Sequence, residues 1–489
     1  MSPDVAPSSS FAGRRVVVAG IALSGVAAAD ALLDRGARVL VVDGRDGAEQ
    51  QAAAAPLRAR GAEVRLGDGE SPVDADLVVT SPGWRPDQPL LAAALGQGVE
   101  VIGEPELAWR LRPRRGDLQM TTPWVAVTGT NGKTTTVGMV ESILRAAGLR
   151  TVAAGNVGLP LVTAVLAEPA YDVIAVELSS FQLHWSRDLA PDAGVVLNLA
   201  PDHLDWHGSF DAYAEAKAAV WRHGGCGAYN ADDPVVTRLA ADHLDDPHPF
   251  TLGEPAHGGF GLVDGVIVDR MSGWAPSEGR PPMLADGAAL VDTRDLAVRG
   301  AHNLANALAA AAVCRVFALD SRLPVPWAAV GDGLRGYRPG RHRNEPVAEA
   351  GGVVWVDDSK ATNPHAADAS LAAYDSVVWV AGGLFKGADV GPLVAAHARR
   401  LRGVVVIGND PGPLVEAMAR HAPDVPVVEV NPRDTDVMDS AVTAAAELAV
   451  AGDTVLLAPA AASMDQFRDY AERGDRFAAA ARARAGERT

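Results

Sequence analysis

Short runs of consecutive apolar residues alternate along this chain with amphipathic stretches, the pattern of buried parallel strands joined by crossover helices. Residues 14–19 (RRVVVA) predict a buried strand, 20–25 (GIALSG) a glycine turn and 24–35 a helix. A second strand over 37–42 ends at Asp43, which completes a βαβ unit with its ligand edge at the strand C-termini. Residues 76–80 add a strand closed by Ser81-Pro82-Gly83. A new set of apolar strands is predicted at 124–127, 172–177 and 194–199. Between Pro247 and Arg299 short apolar runs alternate with Gly/Pro clusters, predicting small antiparallel strands, and 302–319 predicts an alanine-rich helix. Four more strands are predicted at 353–356, 376–380, 404–407 and 455–458. Two basic segments containing Gly and Pro, 110–120 and 331–343, break the pattern, and the second reads as a hinge. The expected architecture is α/β, three domains in series: 1–115 and 339–489 Rossmann-like, with 116–338 a further α/β domain between them.

Composition narrows the function classes. With 43 Lys+Arg against 61 Asp+Glu the formal charge is −18, which disfavours nucleic-acid or anionic-membrane binding but leaves room for small anionic substrates. Hydrophobic residues at 48% can bury sizeable cores. No apolar run is expected to span a membrane, because even 307–319 is interrupted by Arg315. Residues 1–13 lack a secretory pattern, and the first ten read as a disordered tail. Cys226 and Cys314 form neither a disulfide framework nor a metal spacing. A cytoplasmic monomer without nucleic acid or membrane insertion is expected.

The strongest chemical signal is WVAVTGTNGKTTT over 124–136. A buried strand runs into Gly129, Thr130, Asn131, Gly132, Lys133, Thr134 and Thr135, and then into a helix with apolar Val137, Val140, Ile143 and Leu144. Glycines let backbone N–H groups converge on phosphate, Lys133 neutralises charge, and Thr134 is placed to ligate Mg²⁺. The glycine spacing is shorter than in the strict P-loop, so this is a variant; the alternative is a glycine turn without phosphate. Glu177 ends a neighbouring strand and Asp202-His203 follow another, so Glu177 and His203 could hold one or two Mg²⁺ ions. Lys217 lies in the apolar stripe of a helix capped by Ser209, with Phe210, Tyr213, Val220 and Trp221. It is either a snorkelling or ion-paired lysine or a neutral amine that has taken up CO₂ as a metal-ligating carbamate. GIALSG carries Ala22 where G-x-G-x-x-G has its middle glycine, so a dinucleotide site and a purely structural turn both remain open. In the C-terminal third, DDSKATNP (357–364) and GGLFKG (382–387) follow strands; Lys360 and Lys386 suit an anionic ligand or a solvated surface.

Taken together, GTNGKTT, ELSSFQL (177–183), DHLDWHG (202–208), Lys217, GAHNLANALAA (300–310), GRHRNE (340–345), DDSKATNP, GGLFKG and PAAASMDQFRDYAERGDRF (459–477) resemble the Mur ligase family of peptidoglycan synthesis, most closely its D-glutamate-adding branch. The resemblance implies an ATP-dependent amide-forming ligase that joins D-glutamate to UDP-N-acetylmuramoyl-L-alanine through an acyl phosphate. It implies that the GTNGKTT residues, Asn303, Asn306, Arg343 and Asp358 bind ATP, and that Thr134, Glu177, His203 and a carbamylated Lys217 serve the Mg²⁺. Ser24, Asp43, Arg45, Ser81, Pro82 and Gly83 would hold the UDP part, Asn156 the muramoyl part, and Lys360, Thr362, Lys386 and Ser463 the D-glutamate. Hinge closure near 331–343 would shield the acyl phosphate from water. Asn431-Pro432-Arg433 echoes a signature of the diaminopimelate-adding relative and reads as chance. A folylpolyglutamate-type ligase, a non-catalytic nucleotide-binding module and an NAD-dependent oxidoreductase are the competing classes.

Overall fold

The computed structural model describes residues 11–71, 74–116, 119–224, 226–271, 283–284, 287–298, 300–321, 323–432, 434 and 436–486. The expected N-terminal tail, Arg433 and much of the stretch before Arg299 lie outside the described residues. Contacts divide the chain into two compact units, residues 1–296 with 305–337, and 297–304 with 338–489.

The first unit holds two sheets. Strands β1 (Arg15–Ala19), β2 (Arg38–Asp43), β3 (Glu63–Leu66), β4 (Leu77–Thr80) and β5 (Val101–Gly103) form a parallel sheet in the order β3-β2-β1-β4-β5. Its central residues Val16, Val18, Val41 and Val79 are at most 1% exposed, as their unbroken apolar runs require. The helix after β1 begins at Leu23, inside the expected glycine turn, because two glycines suffice for it. Gly20 takes φ +103°, and a Cβ on Gly25 would stand 1.9 Å from the Gly20 carbonyl oxygen. Ala22 is the exposed N-cap residue with φ −73°, a conformation open to any residue. The basic segment 110–120 begins inside a helix, Glu104–Leu111, where the Arg110 guanidinium reaches Glu100 at 2.7 Å and Glu106 at 2.9 Å.

The second sheet is built on β6 (Trp124–Thr128), β7 (Thr151–Gly155), β8 (Val173–Glu177), β9 (Ala193–Val196), β10 (Cys226–Asn230) and β11 (Pro247–Phe250), parallel in the order β11-β10-β9-β6-β8-β7. Beyond β11 it continues through β12 (Phe260–Val263) and then antiparallel through β13 (Val266–Asp269), β15 (Gly287–Asp292) and β14 (Met283–Leu284). The antiparallel strands expected after Pro247 thus begin only at β12, since β11 pairs in parallel with β10. Strand β9 stops at Val196, and Asp202 and His203 come six and seven residues later, beside the short helix Leu204–His207.

Helix Ala301–Asp320 is long and apolar enough to cross a membrane, contrary to the expectation that no run is. Its packing is that of a core helix, with 78% of its apolar window buried. Arg315 is tolerated there because it donates to Asp269 at 3.1 Å and to the Val325 carbonyl at 2.8 Å. The expected hinge at 331–343 is half helix, Trp327–Gly336. Gly333 is small so that this helix can lie against the backbone of Ile143, where a Cβ would stand 2.4 Å from the Ile143 Cα.

The second unit carries a six-stranded sheet. Parallel strands β17 (Val353–Asp357), β18 (Val377–Gly382), β19 (Leu401–Ile407), β20 (Val427–Glu429) and β21 (Thr454–Leu457) are joined by the antiparallel edge strand β16 (Glu345–Ala350). The order is β16-β17-β21-β18-β19-β20. The crossovers are helical, and their apolar faces with the sheet make two cores, one around Trp379 and Leu414 and one around Trp355 and Phe477.

Candidate active site

The loop after β6 is shaped for close approach. Gly129 (φ +152°) and Gly132 (φ +85°) take conformations suited to glycine, and a Cβ on Gly132 would stand 2.2 Å from Asn306 Oδ1. Helix Lys133–Ala146 follows directly, with Thr134 and Thr135 in its first turn. The loop is braced by groups that its own motif does not contain. Asn198 accepts from the Asn131 N–H (2.9 Å) and donates back to the Asn131 carbonyl (3.1 Å), while Thr130 Oγ1 meets the Tyr213 hydroxyl at 2.8 Å. Lys133 Nζ donates to the carbonyls of Gly129 (3.1 Å) and Thr130 (2.8 Å).

Lys217 converges on the same loop. Its Nζ donates to the Gly129 carbonyl at 2.7 Å and lies 4.8 Å from the Tyr213 ring centroid, on a side chain that is 2% exposed. Burial, and then the charge of Lys133, pull its amine well below the usual lysine range against Asp202 and Glu177. Ser209 caps the helix as expected, but the α-helix ends at Ala218 and Val220-Trp221 belong to a following 3₁₀ turn.

Glu177, at the end of β8, is 2% exposed. Its Oε1 accepts from Asn156 Nδ2 at 3.0 Å, while Oε2 is buried without a hydrogen-bond partner among the described residues. A buried orphan carboxylate oxygen facing a lysine-lined loop is chemistry that fits a divalent cation. His203 takes φ +53° at the N-cap of helix Leu204–His207, with its ring 4.7 Å from that of Phe181 and Nε2 3.6 Å from Asp202. Burial lowers its imidazole, Asp202 opposes, and Lys217 and Lys133 add to the lowering. The structure therefore gathers the phosphate loop, Lys133, Glu177, Asn156, His203, Lys217 and Asn306 at one end of the second sheet. Asn303 is buried three residues earlier on the helix of Asn306.

The expected uridine residues meet at the C-terminal edge of the first sheet. Asp43 accepts the Ile21 N–H at 3.0 Å and the Arg45 N–H at 2.9 Å, with the Arg45 side chain alongside. Burial alone would raise its carboxyl, but those bonds outweigh it and hold it below the usual range. Ser81 Oγ, buried and without a hydrogen-bond partner among the described residues, faces Gly20, where a Cβ would stand 2.6 Å away; Pro82 and Gly83 complete that turn, and Ser24 stands in the first helical turn.

In the second unit the expected residues occupy loops after adjacent strands. Lys360 and Thr362 follow β17, Ser463 follows β21 and Lys386 follows β18. The last two loops are tied by reciprocal backbone bonds between Leu384 and Ala462 (2.9 and 3.0 Å). Lys360 Nζ lies 3.9 Å from the Tyr470 ring centroid, Ser463 is 3% exposed, and Lys386 is exposed with φ +54°. Asp358 accepts from the Asn344 N–H (3.2 Å) and the Ser370 hydroxyl, and burial pushes its carboxyl up to about 6, with Arg343 opposing. Sequence reasoning missed Asn198, Tyr213 and Arg473, which act by bonding distant loops; only polar residues within apolar or loop segments could have flagged them.

Comparison with known proteins agrees with this geometry. Residues 14–103 match the Mur ligase MurD-like N-terminal domain, 127–256 the Mur ligase middle domain, and 342–461 the Mur ligase glutamate ligase domain. The chain is 53% identical to the UDP-N-acetylmuramoylalanine–D-glutamate ligase of Thermobifida fusca, over 97% of this chain and 99% of that one. It is 52% identical to the ligase of the same name from Streptomyces avermitilis, over 96% and 98%. Among solved structures, UDP-N-acetylmuramate-alanine ligase from Thermotoga maritima shares the fold at a TM-score of 0.55 and 19% identity, over 96% of this chain and 100% of that one. The three matched domains, in this order and over nearly the whole length, place the chain in the Mur ligase family of ATP-dependent, amide-bond-forming ligases.

Proposed function

We propose that this chain joins D-glutamate to UDP-N-acetylmuramoyl-L-alanine with cleavage of ATP to ADP and phosphate, in the cytoplasm, as a step of peptidoglycan precursor synthesis. The observation that carries this reading is the 53% and 52% identity, over nearly full length, to two ligases named for that activity. Residues 1–115, 116–338 and 339–489 are taken as the UDP-substrate, ATP and amino-acid domains.

In this reading a substrate carboxylate oxygen bonds to the γ-phosphorus of ATP and ADP leaves, giving an acyl phosphate. The amine of D-glutamate then adds to the acyl carbon, loses a proton, and expels phosphate as the amide forms. The backbone of residues 129–135 cradles the phosphates, and Lys133 swings from its own loop carbonyls to neutralise them. Asn303, Asn306, Arg343 and Asp358 serve the nucleotide. Magnesium, when bound, supplies positive charge to the transferring phosphoryl group. Thr134, His203 and Glu177 with its spare Oε2 would hold it, while Asn156 orients Glu177 as well as meeting the muramoyl group. Lys217, as a buried neutral amine, takes up CO₂ and releases a proton, so that a carbamate anion stands beside Lys133 in place of the neutral amine. Ser24, Asp43, Arg45 and residues 81–83 serve the uridine diphosphate, and Lys360, Thr362, Lys386 and Ser463 the D-glutamate.

The decisive test is phosphate release from ATP with the nucleotide-sugar alanine substrate and either D- or L-glutamate. Release that depends on D-glutamate, with a product heavier by one glutamyl residue, is expected. Equal use of L-glutamate, or release without any amino acid, would overturn the assignment.

A further inference from the structure

Arg473, on helix Tyr470–Gly486, is wholly buried, at 0% exposure. A buried guanidinium is costly unless its donors are satisfied. Here they go to three neutral oxygens rather than to a paired carboxylate. Nε donates to Ser359 Oγ (2.9 Å), one terminal nitrogen to the Ser359 carbonyl (2.9 Å) and the other to the Ala461 carbonyl (3.1 Å). Ser359 is held from its other sides as well. Its N–H donates to Asp357 at 2.9 Å and its hydroxyl donates to the Tyr470 carbonyl at 2.7 Å.

These bonds join two separate loops. Ser359 directly precedes Lys360 in the loop after β17, and Ala461 lies two residues before Ser463 in the loop after β21, the neighbouring strand. A planar fork with donors on both sides can hold two carbonyls at a fixed spacing, which a single ammonium cannot. We infer that Arg473 is the positioning residue of the amino-acid subsite. Its guanidinium fixes the loop bearing Lys360 and Thr362 against the loop bearing Ser463, and thereby sets the spacing at which they receive the carboxylates of the incoming amino acid. The inference rests on the proposal that these loops bind D-glutamate.

Steady-state kinetics of the full chain test it. Arg473→Lys keeps the charge but cannot reach both loops, so the KM for D-glutamate should rise at least about tenfold while the KM values for ATP and the nucleotide sugar stay within about twofold. Ser359→Ala removes the hydroxyl bonds to Arg473 and Tyr470 but leaves both carbonyl bonds of Arg473, and should move the same constant in the same direction by a smaller factor; it also covers the case in which Arg473→Lys does not fold. Unchanged D-glutamate KM in the folded variants, or an equal rise for all three substrates, would overturn the inference. Wild-type protein without D-glutamate-dependent phosphate release would instead overturn the proposed function, and this inference with it.

Discussion

Two lysines donate to one carbonyl oxygen, that of Gly129, and only one of them belongs to the phosphate-loop motif. Lys217 comes from a helix some ninety residues on and brings a buried amine to the loop after β6. Two like charges in a dry site repel, so neutralising Lys217, or inverting its charge as a carbamate, relieves that repulsion. Lys217→Ala should therefore lose turnover by at least about a hundredfold, and millimolar acetate should restore part of it by supplying the missing carboxylate. No rescue, together with an unmodified Lys217 mass in the wild-type protein, would reduce the residue to a brace for the Gly129 carbonyl. Glu177 sharpens the picture, since Asn156 holds one oxygen and the other has no partner among the described residues.

At the scale of elements, glycines serve two opposite ends. Gly129 and Gly132 bend the chain where side chains cannot follow. Gly333, in a segment whose composition suggests a hinge, instead lets helix Trp327–Gly336 touch helix Lys133–Ala146 at backbone distance, with Ser142 Oγ donating to the Gly333 carbonyl at 2.7 Å. Gly333→Ala should accordingly overpack the contact and destabilise the protein by about 1–3 kcal/mol, read as a lower denaturant midpoint with an unchanged slope. A flexible hinge would instead gain stability from alanine, so the sign of the change separates the two roles.

At the scale of the molecule, three sheets present their loops at strand C-termini, where open α/β sheets bind ligands. Within the first unit, Glu104 follows β5 directly and its Oε1 accepts the Val162 N–H (2.7 Å) from the second sheet's surroundings. Burial raises its carboxyl to about 7 from 4.5. The folded chain then holds this proton more tightly than the unfolded chain, so the stabilisation is complete below about pH 4.5 and is lost as pH rises toward 7. The unfolding free energy should fall across that window, by up to about 3 kcal/mol from this group, read by denaturant titration at several pH values. Glu104→Gln keeps the acceptor and should flatten the profile; the same slope in both proteins would assign it to other groups, such as Asp358.

The periodicity of the chain by itself determined the strongest strands, the α/β class and the strand, glycine loop and helix of residues 124–146. Four-residue apolar runs between glycines have few alternatives, and glycine, lysine and threonine after a strand carry their chemistry locally. The strands it did not reveal are short or polar, such as β3 (EVRL) and β16 (EPVAEA), and exist because a neighbouring strand offers them partners. Tertiary structure alone decided that Pro247–Phe250 pairs in parallel, that Gly331–Gly336 is packed helix, and that Asn198, Tyr213 and Arg473 bond segments distant in sequence. The reason is physical: a motif can be read from neighbours in sequence, whereas a buried donor finds its acceptor only once distant segments meet in space, and no spacing along the chain records that meeting.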